Sequence, residues 1–218
     1  MALVDDIIAD IDRYLRGCGR IHFNERDLQI RLAMYLRATG RYDDVDVEYY
    51  VPRSVFPAGA HIWNTEMKVD IVVKGQGEYV PIELKYKTQT IGAALTRFDE
   101  YVGTEPVLKN QAAQNMGKYD FWKDVRRLEL LRRRFKAVRH GVVLFLTNDK
   151  SYTKASRAST ICANFAMDKG HHSADKSWAG GTKEIKGRPD FKLNRGYDLE
   201  WHNPTLAGQR YYYTIVRV

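Results

Sequence analysis

The sequence predicts an α/β protein with a mixed central sheet flanked by helices. Two amphipathic helical segments open the chain, and three strand-like segments follow. A long helical segment then leads into Gly141–Thr147, a run with no polar residue between its ends, as expected of a strand buried on both faces. With 218 residues, the chain is long enough for one sizeable core, so residues 1–218 are read as one domain.

Each element has a local reason. Leu3, Ile7, Ile8, Ile11 and Leu15 recur at helical spacing, and Gly17 and Gly19 end that helix. Asn24 is a good N-cap, with Asp27 three residues on. The second helix runs from there to about Thr39, with Leu28, Leu32, Tyr35 and Leu36 as its stripe and Gly40 as its stop. Val45–Val51 alternates as a strand does and stops at Pro52. Residues 52–64 read as a loop. Met67, Val69, Ile71 and Val73 form one face of the next strand, with Glu66, Lys68 and Asp70 on the other. Gly75-Gln76-Gly77-Glu78 is a turn. Beyond it Val80, Ile82, Leu84 and Tyr86 face one way, and Glu83, Lys85 and Lys87 the other. Residues 88–108 are weakly patterned, with a short helix expected over Ala93–Tyr101 and a break at Pro106. A long helix is expected from about Asn110 to Arg134. Residues 151–208 are polar, Gly-rich and basic, and read as an insertion or arm. Residues 209–218 close the chain as a strand.

Composition narrows the function classes. No run approaches the ~18 apolar residues that a membrane span requires. The N-terminus is acidic where a signal peptide would be basic. Only two cysteines occur, Cys18 and Cys162, which excludes a disulfide scaffold and fits a reducing, cytoplasmic compartment. The first 110 residues carry 17 acidic and 14 basic side chains, whereas the remainder carry 10 and 21. A basic half suits a polyanionic partner, because neutralised phosphates release their counterions. Nucleic acid is the expected partner, and no membrane is.

The hairpin around residues 75–78 carries the candidate chemistry. With that turn, Lys74 pairs with Tyr79, and counting outward sets Asp70 opposite Glu83 and Lys68 opposite Lys85. Opposed side chains on one sheet face lie about 4.5–5.5 Å apart at Cβ. Two carboxylates that close repel unless a positive group lies between them, and hard oxygen donors suit Mg2+ or Mn2+. Lys85 points into the same space. Glu25 sits three residues before Leu28, on the inward stripe of its helix.

This arrangement resembles the PD-(D/E)XK nuclease superfamily, the restriction-endonuclease-like fold. The matching residues are Glu25, Asp70 and Glu83-Leu84-Lys85, within a helix–strand–strand–strand–helix–strand core over roughly residues 22–148. Val69 stands where the motif name has proline. Lys109–Asp120 also resembles bacterial members. The resemblance implies that Asp70 and Glu83 bind the metal with the Leu84 carbonyl, and that Lys85 orients or deprotonates the attacking water. Glu25 would support a second ion or its waters. It further implies a metal-dependent phosphodiester hydrolase acting on nucleic acid, DNA being the expected polymer, with a homodimer as the arrangement for cutting both strands.

Gln111 and Gln114 fall at the start of the long helix, where backbone N–H groups favour anions. Gln114 and Tyr119 are similar in kind to a Gln and a Tyr of the superfamily, spaced five residues apart rather than four. Lys118, Arg132, Arg133, Lys150 and Lys154 are the further candidates for phosphate contacts. Pro189-Asp190 is a literal PD, but Glu200-Trp201-His202 after it lacks a lysine. His171-His172 and Cys162 make a thin zinc set. The competing expectations are a non-catalytic nucleic-acid-binding module and a protein-interaction module on the same scaffold.

Overall fold

The computed structural model describes residues 2–57, 59, 63, 65–181 and 185–218. The chain opens with α1 (Leu3–Gly17) and α2 (Glu25–Ala38). Leu3, Ile7, Ile11 and Leu15 are buried along α1, and Leu28, Leu32 and Leu36 along α2. The Asn24 side chain accepts a hydrogen bond from Asp27 N–H at 2.8 Å, which satisfies one free donor of the first turn of α2.

An antiparallel meander follows: β1 (Asp44–Val51), β2 (Met67–Gly75) and β3 (Glu78–Lys87). Between β1 and β2, one 3-10 turn lies at Arg53–Val55, while residues 58, 60–62 and 64 of this loop lie outside the described residues. β4 (Ile91–Arg97) and β5 (Glu100–Leu108) form a separate hairpin, and α3 (Gln114–Arg134) leads to β6 (Val142–Thr147). The arm carries the short strands β7 (Gly170–His172), β8 (Asp175–Lys176), β9 (Phe191–Lys192), β10 (Tyr197–Leu199), β11 (Thr205–Leu206) and β12 (Gln209–Arg210). β13 (Tyr212–Arg217) closes the chain.

The main sheet has the order β1-β2-β3-β6-β13. β3 and β6 run parallel and the other pairs antiparallel, so the sheet is mixed. Helices α1 and α2 cover one face, where Ile71, Val73, Ile82, Leu84 and Leu144 join their buried stripes. Helix α3 and the arm cover the other, over Val143 and Phe145. The arm belongs to this second core: Phe165, Met167, Leu193 and Leu199 are buried in it. Among the described residues no helix is long and apolar enough to cross a membrane.

Three expectations are corrected. The residues expected to share one face of β2 divide: Ile71 and Val73 pack toward α1 and α2, whereas Met67 and Val69 pack toward α3. The strand changes face at Asp70, where its pairing with β3 has just ended at Ile71–Ile82. Residues 93–101 are not helical but belong to the β4–β5 hairpin, whose ladder overrides the helix propensity of Ala93-Ala94-Leu95. The long helix begins at Gln114 rather than Asn110. Gln111 N–H donates to Thr88 O at 2.8 Å, and the Thr88 hydroxyl donates to Lys109 O at 2.8 Å. These bonds tie the segment before α3 to the end of β3.

The β4–β5 turn puts Phe98 and Asp99 at φ 52° and 66°, and Phe98 is 99% exposed. Left-handed backbone costs an ordinary residue roughly 1–2 kcal/mol, and Asn-Gly fits such a turn better. Replacing Phe98-Asp99 by Asn-Gly is expected to stabilise the protein by about 1 kcal/mol in urea unfolding. An unchanged or lower midpoint would count against strain at this turn.

Candidate active site

The end of the β2–β3 ladder creates the site. Beyond Ile82, β3 has lost its partner on the β2 side, and Leu84 and Tyr86 keep backbone groups that a longer β2 would have satisfied. Side chains take them instead. Leu84 N–H donates to Asp70 Oδ2 at 2.7 Å, and Tyr86 N–H donates to Glu25 Oε2 at 2.8 Å. Within a strand, the N–H and C=O of one residue point to the same side, so the Leu84 carbonyl faces Asp70's side too. That carbonyl accepts from Lys85 Nζ at 2.9 Å. The freed β2 backbone is held in the same way. Gln29 Nε2 donates to Asp70 O at 2.7 Å, and Arg127 donates to Lys68 O at 2.8 Å.

Glu83 and Lys85 lie on the α3 face of β3, and α3 answers them with charge. Lys85 Nζ is 2.7 Å from Asp124 Oδ2 and 3.9 Å from Glu25 Oε1. Arg127 Nη1 lies 3.2 Å from both oxygens of Glu83 and 3.2 Å from Asp124 Oδ1. The side chains of Glu83 and Asp124 are each only 1% exposed. Glu83 Oε1 and Asp124 Oδ2 have no hydrogen bond and are held by ion pairing alone.

The site has an inner and an outer part. Inside, Arg127 seals Glu83 against α3. Outside, Asn24, Glu25, Arg26, Gln29, Glu48 and Asp70 line an open cleft of about 430 Å³ at the start of α2. Glu48, at φ 52°, accepts from Gln29 Nε2 at 3.2 Å. Lys85, with 15% of its side chain exposed, lies between Glu25 on the outer side and Asp124 within.

Glu25, Asp70, Glu83 and Asp124 thus share Lys85 and Arg127, and the surplus of acid sets the protonation. Burial pushes Asp70 up to about 6, against Lys85 and the Leu84 N–H; Asp124 and Glu25 add to the rise. Burial also drives Glu83 well above the usual carboxylate range, and Arg127 only partly offsets it. Asp124 goes the other way: burial would raise it, but Lys85 and Arg127 hold it low. Burial disfavours the Lys85 cation, yet Asp124, Glu25, Glu83 and Asp70 outweigh burial and raise its pKa. Lys85 is therefore a fixed ammonium in this arrangement, not a base.

The structure brings Glu25, Asp70, Glu83, Leu84 and Lys85 together, but not by the expected register: the ladder ends at Ile71–Ile82, so Asp70–Glu83 and Lys68–Lys85 are not ladder pairs, and Asp70 turns instead to the Leu84 N–H. The expected phosphate contacts fare differently. Gln111 is exposed and precedes α3. Gln114 donates to Asp149 Oδ2 at 3.1 Å, and Tyr119 is buried under the arm with its hydroxyl on Pro189 O. Lys118 is corrected: it is 7% exposed and donates to Ser156 Oγ at 2.8 Å, so its ammonium serves the fold. Arg132 donates to Arg139 O and Arg133 to Asn194 Oδ1, closing the far end of α3. Lys150 and Lys154 are exposed. His171 meets Asp198 and His172 meets the Asp168 carbonyl, while Asp190 accepts from Trp178 N–H.

Asp124, Arg127, Gln29 and Glu48 were missed. Asp124 was legible: it lies three residues after Phe121 and four before Leu128, a charge on an apolar stripe. The backbone twist that turns Glu48 into the cleft leaves no such sign.

Among the described residues, no group of three or more His, Cys, Asp or Glu side chains is assembled as a metal site. The donors at the broken ladder are nonetheless all oxygen, and Glu83 Oε1 is a buried oxygen without a hydrogen bond. That chemistry fits a hard divalent cation. No family model, curated protein or solved structure matches the chain.

Proposed function

We propose that the protein is a metal-dependent phosphodiester hydrolase acting on nucleic acid, DNA first, built on a restriction-endonuclease-like fold. The observation that carries this reading is the broken β2–β3 ladder. It sets Asp70 beside the Leu84 backbone while Glu83 and Lys85 project from the adjacent positions of β3. Asp70, Glu83 and the Leu84 carbonyl would hold Mg2+ or Mn2+, with Glu25 supporting its waters. The cation would lower the pKa of bound water and offset charge on the reacting phosphate.

The chain's own residues have definite tasks in this reading. Lys85, held protonated by Asp124, stabilises negative charge that builds on the phosphate oxygens. Gln29 holds the Asp70 carbonyl, and Glu25 holds the Tyr86 N–H on β3, two residues beyond the Leu84 N–H that Asp70 accepts. Arg127 neutralises Glu83 until a cation replaces it. Cutting both strands would call on a second copy of the chain. The two free, buried cysteines accord with a reducing cytoplasmic setting.

A second reading rests on the same bonds. Asp70 and Glu25 satisfy unpaired N–H groups of β3, and Arg127 and Lys85 pair the buried acids. A purely structural network in a non-catalytic binding module would look alike. Incubating supercoiled plasmid with Mg2+ or Mn2+ separates the two. The wild type is expected to nick or linearise it and Glu83→Gln to lose at least about a hundredfold of that rate. Equal rates in the two proteins would reject the hydrolase reading.

A further inference from the structure

A second cleft, of about 570 Å³, lies on the α3 face where the arm meets the ends of β6 and β13. Its charge is one-sided: Lys150, Lys169 and Arg210 line it and no acid does. Among the described residues, Lys150 and Arg210 have no carboxylate in ion-pair reach; Lys169 meets Glu200, 3.0 Å away on the exposed rim. Arg210 is set opposite Thr205 across the β11–β12 hairpin, so a guanidinium fork and a hydroxyl share one edge.

The cleft also has aromatic walls, from Trp201 and Tyr212. The Trp201 indole N–H is already used, donating to Met167 O at 2.6 Å, and the ring packs edge-on against Phe145. What Trp201 offers a ligand is π surface held at a fixed angle. Cations beside an aromatic wall suit a phosphate with its attached base, because every base can stack while the cations take the backbone.

Register ties this cleft to the candidate site. Lys85, Phe145 and Thr214 lie abreast on β3, β6 and β13, and Lys87, Thr147 and Tyr212 lie abreast one pleat further on. With strands about 4.8 Å apart, Tyr212 is roughly 10 Å across the sheet from Lys87 on the same face. Lys87 is half-buried and also has no carboxylate in ion-pair reach among the described residues. Among the described residues, Lys87, Lys150 and Arg210 are thus cations without a carboxylate partner on this side of Lys85, with buried Phe145 and Thr147 between the strands.

We propose that this cleft binds a nucleotide unit of a single strand, phosphate on Lys150 and Arg210 and base on Trp201, as the strand continues from the candidate active site. The proposal rests on the hydrolase reading for the identity of the polymer, but its test does not need cleavage. A fluorescent single-stranded DNA oligonucleotide is titrated in EDTA against wild type and Lys150→Ala/Arg210→Ala, with anisotropy as readout over a range of salt. Both side chains are on the surface, and thermal melts confirm that the variant folds. The expected result is binding about tenfold weaker in the variant, with a log K against log salt slope shallower by about 0.7, the value for one phosphate on a single strand. Equal affinity and equal slope would overturn the cleft, whatever the plasmid assay shows. An unchanged plasmid in the wild type, with the salt slope still lost in the variant, would reject hydrolysis and leave the cleft standing. Displacement by AMP at equal concentration would point to a free-nucleotide site, and displacement by polyglutamate as effective as by unlabelled strand to an acidic partner. Either would overturn the strand assignment.

Discussion

Asp70→Asn is expected to abolish divalent-metal-dependent cleavage and, in the metal-free protein, to raise the melting temperature at neutral pH. The two effects have one origin. Asn keeps an oxygen for the Leu84 N–H, so the bond that ends the ladder survives. It loses the charge that a cation requires. Metal assistance is worth several kcal/mol, and about 4 kcal/mol is about a thousandfold in rate. Stability moves the other way because the Asp70 charge is unfavourable where it sits. Its pKa is about 6 in the folded protein against 3.8 for a free side chain. Between those values the folded state keeps a proton that the unfolded state has released, so stability falls as pH rises through the window. Above it the penalty is complete, at most about 2 kcal/mol after allowing for partial exposure. The stability gap between Asp70→Asn and wild type should therefore be full above about pH 6 and narrow as pH falls from there toward 4. Mn2+ should raise the melting temperature of the wild type and not of the variant. A variant that cleaves normally, or melts lower at neutral pH, would show that Asp70 serves only the backbone of β3.

Lys85→Met is expected to remove cleavage and to destabilise the fold by about 3 kcal/mol in urea unfolding. Asp124, 1% exposed and 2.7 Å from Lys85 Nζ, would keep Arg127 as its direct ion-pair partner, and Arg127 is shared with Glu83. Breaking a buried pair from one side leaves an uncompensated ion, which costs more than the pair itself contributes. Lys85→Met/Asp124→Leu removes both charges and should recover more than about 1 kcal/mol of the loss, a coupling that a double-mutant cycle reads directly. Cleavage should stay absent in the double variant, because the cation facing the phosphate is gone. A single variant within about 0.5 kcal/mol of wild type would mean that the buried pair does not organise this site.

The helices were legible because periodicity and caps are local. The stripe of α1, the Asn24 cap and the turn at 75–78 each follow from a few neighbouring residues, and the expected Lys74–Tyr79 register is the one observed. The apolar run ending at Thr147 gave away a central strand, since only a strand covered on both faces tolerates it. Failures came where a distant partner overrides local preference. Ala93–Tyr101 looks helical alone, but the β5 ladder claims it. Asn110–Ala113 extends a helical pattern, but Thr88 holds it to the end of β3. Lys118 looked like a surface cation until the arm folded over it and offered Ser156.

By itself the sequence determined the hairpin that brings Asp70 near Glu83 and Lys85, because a short turn sets the Lys74–Tyr79 register, which holds as far as Ile71–Ile82. Only the tertiary structure decided what surrounds them. The change of face at Asp70, the capture of the Tyr86 N–H by Glu25, and the placement of Asp124 and Arg127 against the buried acids depend on α2 and α3 docking on opposite faces of one sheet. Those contacts join residues far apart in the chain, and their protonation follows from burial and from neighbours that no local pattern specifies.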